Sequence, residues 1–297
     1  MKQTQLLPSL GVMVAGALWG LLWFPLVEFE KQGLGVGLSS TIFYAVTALC
    51  AVPGLLVTGG WKQIAKAPVS YIIMGTAFTL YTFALLLTHP FNAILLFYLT
   101  PAWSILLGKL FYGEPIGLVR SLVVIMGFVG IGLVLGATSL PIPQNLGDWI
   151  ALMSGALWAL ATSLTSREHG KNSWVRLLQF GIAGLVSTVI LAFALSSLAP
   201  KVLAATAHTS IYVWATAIGL VLFAIPNLLV IWGTMHLSST RVGVLLMMEV
   251  VVGTIAIALL SAEPLAAIQI AGAVLIFAAG IVEVISRDSH AVAKAPG

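Results

Sequence analysis

Ten apolar stretches follow one another along this chain, each of roughly twenty residues, the length a helix needs to cross a hydrocarbon layer. They cover 8–27, 37–58, 68–87, 91–111, 115–136, 148–165, 175–198, 210–232, 237–260 and 265–286. With 60% apolar and 7% charged residues, the chain has too little polar surface to present to water. A lipid bilayer is the solvent that suits it. The runs are continuously apolar, which predicts helices and excludes a barrel, whose strands alternate in and out.

The last five stretches repeat the first five. Gly16-Ala17-Leu18-Trp19 lies in the first span of one half and Gly155-Ala156-Leu157-Trp158 in the first span of the other. Glu114-Pro115 and Glu263-Pro264 each precede the last span of their half. An odd number of spans per half turns the second half upside down in the membrane, an arrangement that recurs in secondary transporters. The expected fold is therefore an all-α integral membrane protein of ten transmembrane helices. Two inverted five-helix repeats, 8–136 and 148–286, would surround a central cavity, with a polar cytoplasmic tail over 287–297. The segment Leu140-Pro141-Ile142-Pro143-Gln144-Asn145 reads as the boundary between them.

Charge supports one orientation. With the N-terminus inside, Lys2, Lys62, Lys66, Lys109, Arg120, Arg167, Lys171, Arg176, Arg241, Arg287 and Lys294 fall on inner segments. Only Lys31 and Lys201 fall outside. That bias puts both termini in the cytoplasm. The net charge of +4 thus reflects topology, and no basic block interleaved with aromatics points to nucleic acid. The partners expected are the bilayer and a small molecule. The start, Met1-Lys2 and then an apolar run from Leu6 to Val27, is too long for a signal-peptide core and reads as the first membrane helix.

Several chemistries find no support. No G-x-x-x-x-G-K-[ST] sequence supplies a nucleotide motor, and Gly33-Leu34-Gly35-Val36-Gly37 follows no strand. The single cysteine, Cys50, lies mid-span as a packing residue. No His, Cys, Asp and Glu cluster has metal-ligand spacing, and no Ser or Cys nucleophile has a base beside it. Neither cofactor, metal nor enzyme activity is expected. The pairs Gly16/Gly20 and Gly132/Gly136 signal close helix packing.

What remains is aromatic. At about 100° per residue, Gly16, Trp19, Gly20 and Trp23 share one helix face. Trp158, Thr162 and Thr165 share another in the second half. Membrane tryptophans usually anchor at interfaces, whereas Trp19 and Trp158 lie near mid-span, which suggests either helix packing or a cavity wall. Phe78, Tyr81, Tyr98 and Trp103 add rings, and buried tyrosines need a partner for the hydroxyl.

Glu249 is the carboxylate in the middle of a span, where ionisable groups are functional by default. It reads as a proton-carrying group, an anchor for a substrate amine, or a protonated carboxyl bonded to a neighbouring helix. Asn227, after Pro226, is a possible polar partner. His89 and His236 flank spans and could relay protons or act as solvated caps. Glu114 and Glu263 read as helix caps, and Arg120 as snorkelling to the surface. Candidate bends are Gly20, Pro25, Pro53, Pro101 and Pro226.

With these residues in place, the chain resembles the EamA-type members of the drug/metabolite transporter superfamily. It is most similar there to the YddG-like bacterial exporters of aromatic amino acids. The resemblance implies a basket-like fold in the inner membrane, a central cavity, and efflux of amino acids such as aromatic ones, methionine or threonine by alternating access. Drug or other neutral-metabolite efflux is the alternative within the superfamily, and a channel the alternative outside it. Trp19, Trp23, Phe78, Tyr81, Tyr98, Trp103 and Trp158 would wall the site, Asn227 and Glu249 would supply polar contacts, and Glu249 or His89 would couple protons. Trp158→Ala is expected to impair transport and leave folding intact.

Overall fold

The computed structural model describes residues 5–66, 69–113, 117–136, 142–165, 172–196, 200–261 and 265–285. The two Glu-Pro pairs, part of the boundary segment and the tail over 287–297 lie outside them. The first half comprises α1 (Leu6–Trp19), α2 (Trp23–Lys31), α3 (Val36–Thr58), α4 (Ser70–Leu87), α5 (Pro90–Phe97), α6 (Thr100–Tyr112) and α7 (Leu118–Leu135). The second comprises α8 (Leu146–Thr165), α9 (Ser173–Leu195), α10 (Thr209–Ile218), α11 (Ile225–Thr234), α12 (Ser239–Leu246), α13 (Met248–Ser261) and α14 (Ala267–Ile285).

Among the described residues, nine helical runs are long and apolar enough to cross a membrane. The chain is an all-helical, multi-pass membrane protein. The expected span at 148–165 is the one outside that set. Its helix, α8, has 20 residues but carries Asp148, Ser154, Thr162, Ser163 and Thr165, all buried. A helix enclosed by other helices can keep hydroxyls that a lipid-facing one cannot.

Four of the runs are interrupted, three of them beside a proline. A proline lacks the N–H that would bond four residues back, and its ring collides with that carbonyl. Pro25 points back to Leu21, in the gap between α1 and α2, where the chain tightens through Leu21 N–H to Leu18 O (3.1 Å) and Leu22 N–H to Trp19 O (2.9 Å). Pro101 points back to Phe97, the last residue of α5. There the Thr100 hydroxyl donates to the freed Phe97 carbonyl at 2.6 Å. Pro226 follows a π-helical stretch over Gly219–Ala224, and Asn227 Nδ2 donates to Phe223 O at 2.8 Å. The break between α12 and α13 has no proline. Pro53 lies inside α3, which continues on both sides of it.

Packing fixes the centre. α3 pairs with α9 and α7 with α14, while α4 lies against α8 and α9 and α1 against α11, α12 and α13. α8 also receives α5 and α6. Asp148, fully buried in the first turn of α8, ties it to the end of α4. Its carboxylate accepts from the Thr88 hydroxyl (2.6 Å) and the Gln144 N–H (2.9 Å), while its own N–H donates to Asn145 Oδ1 (3.0 Å), a capping arrangement.

Two arginines counted as inner-surface charges are buried instead. Arg176 Nη1 donates to the Tyr71 hydroxyl at 2.9 Å, with the guanidinium 5.0 Å from that ring. Arg241 donates to Gln5 Oε1 (3.0 Å) and to the Glu283 and Val284 carbonyls (2.6 Å each) near the end of α14. Carbonyls at a helix C-terminus lack intrahelical donors, which makes them a natural seat for a cation.

Gly155→Ala is expected to lower the melting temperature of the purified protein by several degrees, because its Cβ would stand 2.6 Å from the Phe97 carbonyl oxygen. Gly280→Ala, which meets nothing within 4 Å, should leave it unchanged or raise it. Thermal denaturation of the two variants side by side checks this.

Candidate functional site

The two Gly-Ala-Leu-Trp segments converge on the two most central interruptions. A Cβ on Gly155 would clash with Phe97, and one on Gly16 would stand 3.0 Å from the Leu246 carbonyl oxygen. Phe97 and Leu246 are the last residues of α5 and α12, each eight residues long and each followed by a break. Each glycine therefore lets its helix lie against bare backbone where a helix of the other half of the chain stops. A Cβ on Gly20 would come closer still, 2.5 Å from the Glu249 carbonyl oxygen.

The tryptophans that end the two segments meet. Trp19 and Trp158 are 6.1 Å apart, edge to face, and Phe78 touches both, at 5.0 and 5.9 Å. Tyr81 stacks on Phe97 at 4.2 Å, and Phe97 reaches Trp158 (6.2 Å) and Tyr98 (5.5 Å). Phe223 and Phe180 extend the cluster from Phe78, at 5.4 and 6.4 Å. Such pairs contribute about 0.5–1.5 kcal/mol each beyond the area they bury. The structure thus brings together Trp19, Phe78, Tyr81, Tyr98 and Trp158. It adds Phe97, Phe180 and Phe223, which the sequence did not single out.

Trp23 and Trp103 stand apart. Trp23 lies beside Phe24 at 5.8 Å, and Trp103 meets no other ring among the described residues. Their indole N–H groups, with that of Trp19, are buried and find no acceptor among the described residues. Unsatisfied donors cost about 1–3 kcal/mol each, so these are places where a bound acceptor would gain most.

Trp158 is 1% exposed, one of the largest fully buried side chains. Truncation to Ala would leave a cavity costing on the order of 3–5 kcal/mol, so intact folding of Trp158→Ala is not expected after all. Trp158→Phe is the variant that separates ring chemistry from packing.

Glu249 stands in the first turn of α13 and keeps part of its surface open. The Tyr98 hydroxyl donates to its Oε2 at 2.7 Å and lies 3.2 Å from the Leu246 carbonyl oxygen. One hydrogen cannot be given fully to both, and the carboxylate is nearer. Through it, the residue capping α5 is tied to the start of α13, and so to the break that no proline explains. Asn227 bonds to its own helix and makes no hydrogen bond to Glu249. His89 is exposed at the N-cap of α5. Thr162 bonds the Trp158 carbonyl (2.9 Å) and the Ser239 hydroxyl, which also meets Ser104 at 2.7 Å. No group of three metal-ligating side chains occurs among the described residues.

Tyr98→Phe, Glu249→Gln and the double variant form a cycle on this bond. Hydrogen bonds to charged groups contribute about 1.5–3 kcal/mol, so a coupling of at least about 1 kcal/mol is expected in unfolding by titrated detergent. Additive effects would remove the bond from the account.

No family model matches the chain, and no curated protein matches it. Among solved structures, the chain is similar to a protein crystal structure at 20% sequence identity, with a TM-score of 0.72. The match covers 93% of this chain and 96% of that one. At this identity the likeness shows the fold alone.

Proposed function

We propose that this chain is a secondary transporter that exports amino acids, aromatic ones and other neutral ones such as methionine or threonine, and related metabolites by alternating access. α8 serves as the tenth span, and 8–136 and 148–286 form two inverted halves. The observation that carries the reading is the reciprocal packing at the centre: Gly16 of one half against the α12 break, Gly155 of the other against the α5 break. Helices interrupted at matching places in two halves are where secondary transporters build their sites.

The remaining packing agrees. The contact of α4 with α8 has its counterpart in α11 with α1, and α4 with α9 in the π-helical stretch with α3. α3 with α9 and α7 with α14 are their own counterparts. The resemblance to EamA-type carriers points the same way. On this reading both termini lie in the cytoplasm of a bacterial-type inner membrane, and the chain is no enzyme and uses no cofactor. The aromatic cluster holds the apolar part of the cargo, and Glu249 receives its amino group. The interrupted helices supply the bends for rocking. Neutral-metabolite or drug efflux would use the same architecture with different cargo.

Uptake of labelled phenylalanine, methionine and threonine into proteoliposomes, with and without an imposed pH gradient, tests this. Saturable uptake of at least one is expected, and Glu249→Gln should reduce it about tenfold or more. Failure of all three to accumulate would sink the amino acid reading. A response to the gradient would identify proton coupling, and indifference to it facilitated diffusion.

A further inference from the structure

Donors at the centre of the molecule are mostly committed to the protein itself. Tyr98 gives its hydrogen to Glu249, Thr100 donates to the Phe97 carbonyl, and Asn227 to the Phe223 carbonyl. The buried guanidinium groups are engaged away from the rings, Arg176 with Tyr71 and Arg241 with Gln5 and the carbonyls ending α14. Trp19 is different. Its side chain is 5% exposed, and its indole N–H is buried without an acceptor among the described residues. An indole nitrogen can only donate, so no turn of its hydrogen satisfies it.

The place of that donor matters as much as its want of a partner. Trp19 ends α1 between the two glycines that meet Glu249. A Cβ on Gly16 would stand 3.4 Å from the Glu249 backbone nitrogen, and one on Gly20 2.5 Å from its carbonyl oxygen. The three residues share one face, so the indole leaves α1 on the side that meets the start of α13. Its ring then joins Phe78 and Trp158. Glu249 meets the same cluster through Tyr98. One group accepts and the other donates, and an α-amino acid carries an ammonium and a carboxylate on one carbon. Trp23 and Trp103 have unsatisfied N–H groups too, but neither ring belongs to this cluster.

We infer that the Trp19 indole N–H is the donor that reads the carboxylate of the amino acid cargo, while Glu249 takes its ammonium. This rests on the centre being a substrate site and assigns the second end of that substrate. A neutral donor suits the task, since a lysine or arginine beside Glu249 would pair with the acid and compete with the cargo. It also discriminates. A buried donor that finds its acceptor in one ligand and none in another rejects the second. An arylalkyl amine leaves the indole unsatisfied, although its net positive charge suits Glu249 better than a zwitterion does.

Calorimetric titration of the purified protein with phenylalanine and phenethylamine, which differ only in the carboxylate, tests this. Phenylalanine should bind at least about tenfold tighter, against the order that net charge alone gives. Trp19→Phe keeps a ring and removes the donor, and should bring the two affinities to within about threefold of each other. A purely structural role for Trp19 would weaken both ligands and leave their ratio unchanged. If that variant does not fold, 3-benzothienylalanine at position 19, with sulfur in place of the N–H, makes the same comparison at nearly constant shape. Phenethylamine binding as tightly as phenylalanine overturns the inference and leaves the transporter reading intact. So does a ratio that survives loss of the indole N–H. Binding of neither ligand overturns it as well, and amino acid uptake in proteoliposomes then judges the transporter reading separately.

Discussion

A helix that stops inside a bilayer must find partners for the backbone groups it frees, because no water is there to take them. Most of the polar chemistry at the centre of this protein is a response to that constraint. Thr100 turns its hydroxyl onto the Phe97 carbonyl, and Asn227 turns its amide onto Phe223. Tyr98 reaches from one break to the other, close to the Leu246 carbonyl and bonded to Glu249. The aromatic cluster then fills the space that close backbone approach at Gly16 and Gly155 leaves around these points.

Some of this was legible in the sequence. Pro25, Pro101 and Pro226 marked interruptions because a missing N–H acts within one turn, wherever the helix sits. Pro53 shows that the rule is permissive, since α3 continues through it. The repeated Gly-Ala-Leu-Trp string was visible as a string. Its physical use, a glycine laid against a break of the other half, is a tertiary fact. The break after Leu246 had no local signal at all, because the side chain that reaches it, Tyr98, is 148 residues away.

Phe97, Phe180 and Phe223 carry no signal in the sequence for a different reason. In a soluble helix the buried face stands out against a polar one. In a membrane helix both faces are apolar, so periodicity does not tell core from lipid. Arg176 and Arg241 misled in the opposite sense. Near span ends, a basic residue looks like an interfacial charge, and only the fold reveals a hydroxyl, an amide or a helix end waiting for it. α8 combines both effects: its buried Asp148 and hydroxyls reduce its apolarity because its neighbours are helices.

The π-helical stretch over Gly219–Ala224 has its own implication. A π turn takes about one residue more than an α turn for the same rotation, so the helix is widened there. Phe223, lodged against Phe43 and Tyr44, sits inside this widened turn, and Asn227 follows one turn later in regular helix. Deleting one residue there would restore a regular helix and leave every side chain chemically intact. The two ends would keep nearly their present phase; what would be lost is the widened turn from which Phe223 meets Phe43 and Tyr44. At this point in the chain, spacing carries as much information as identity.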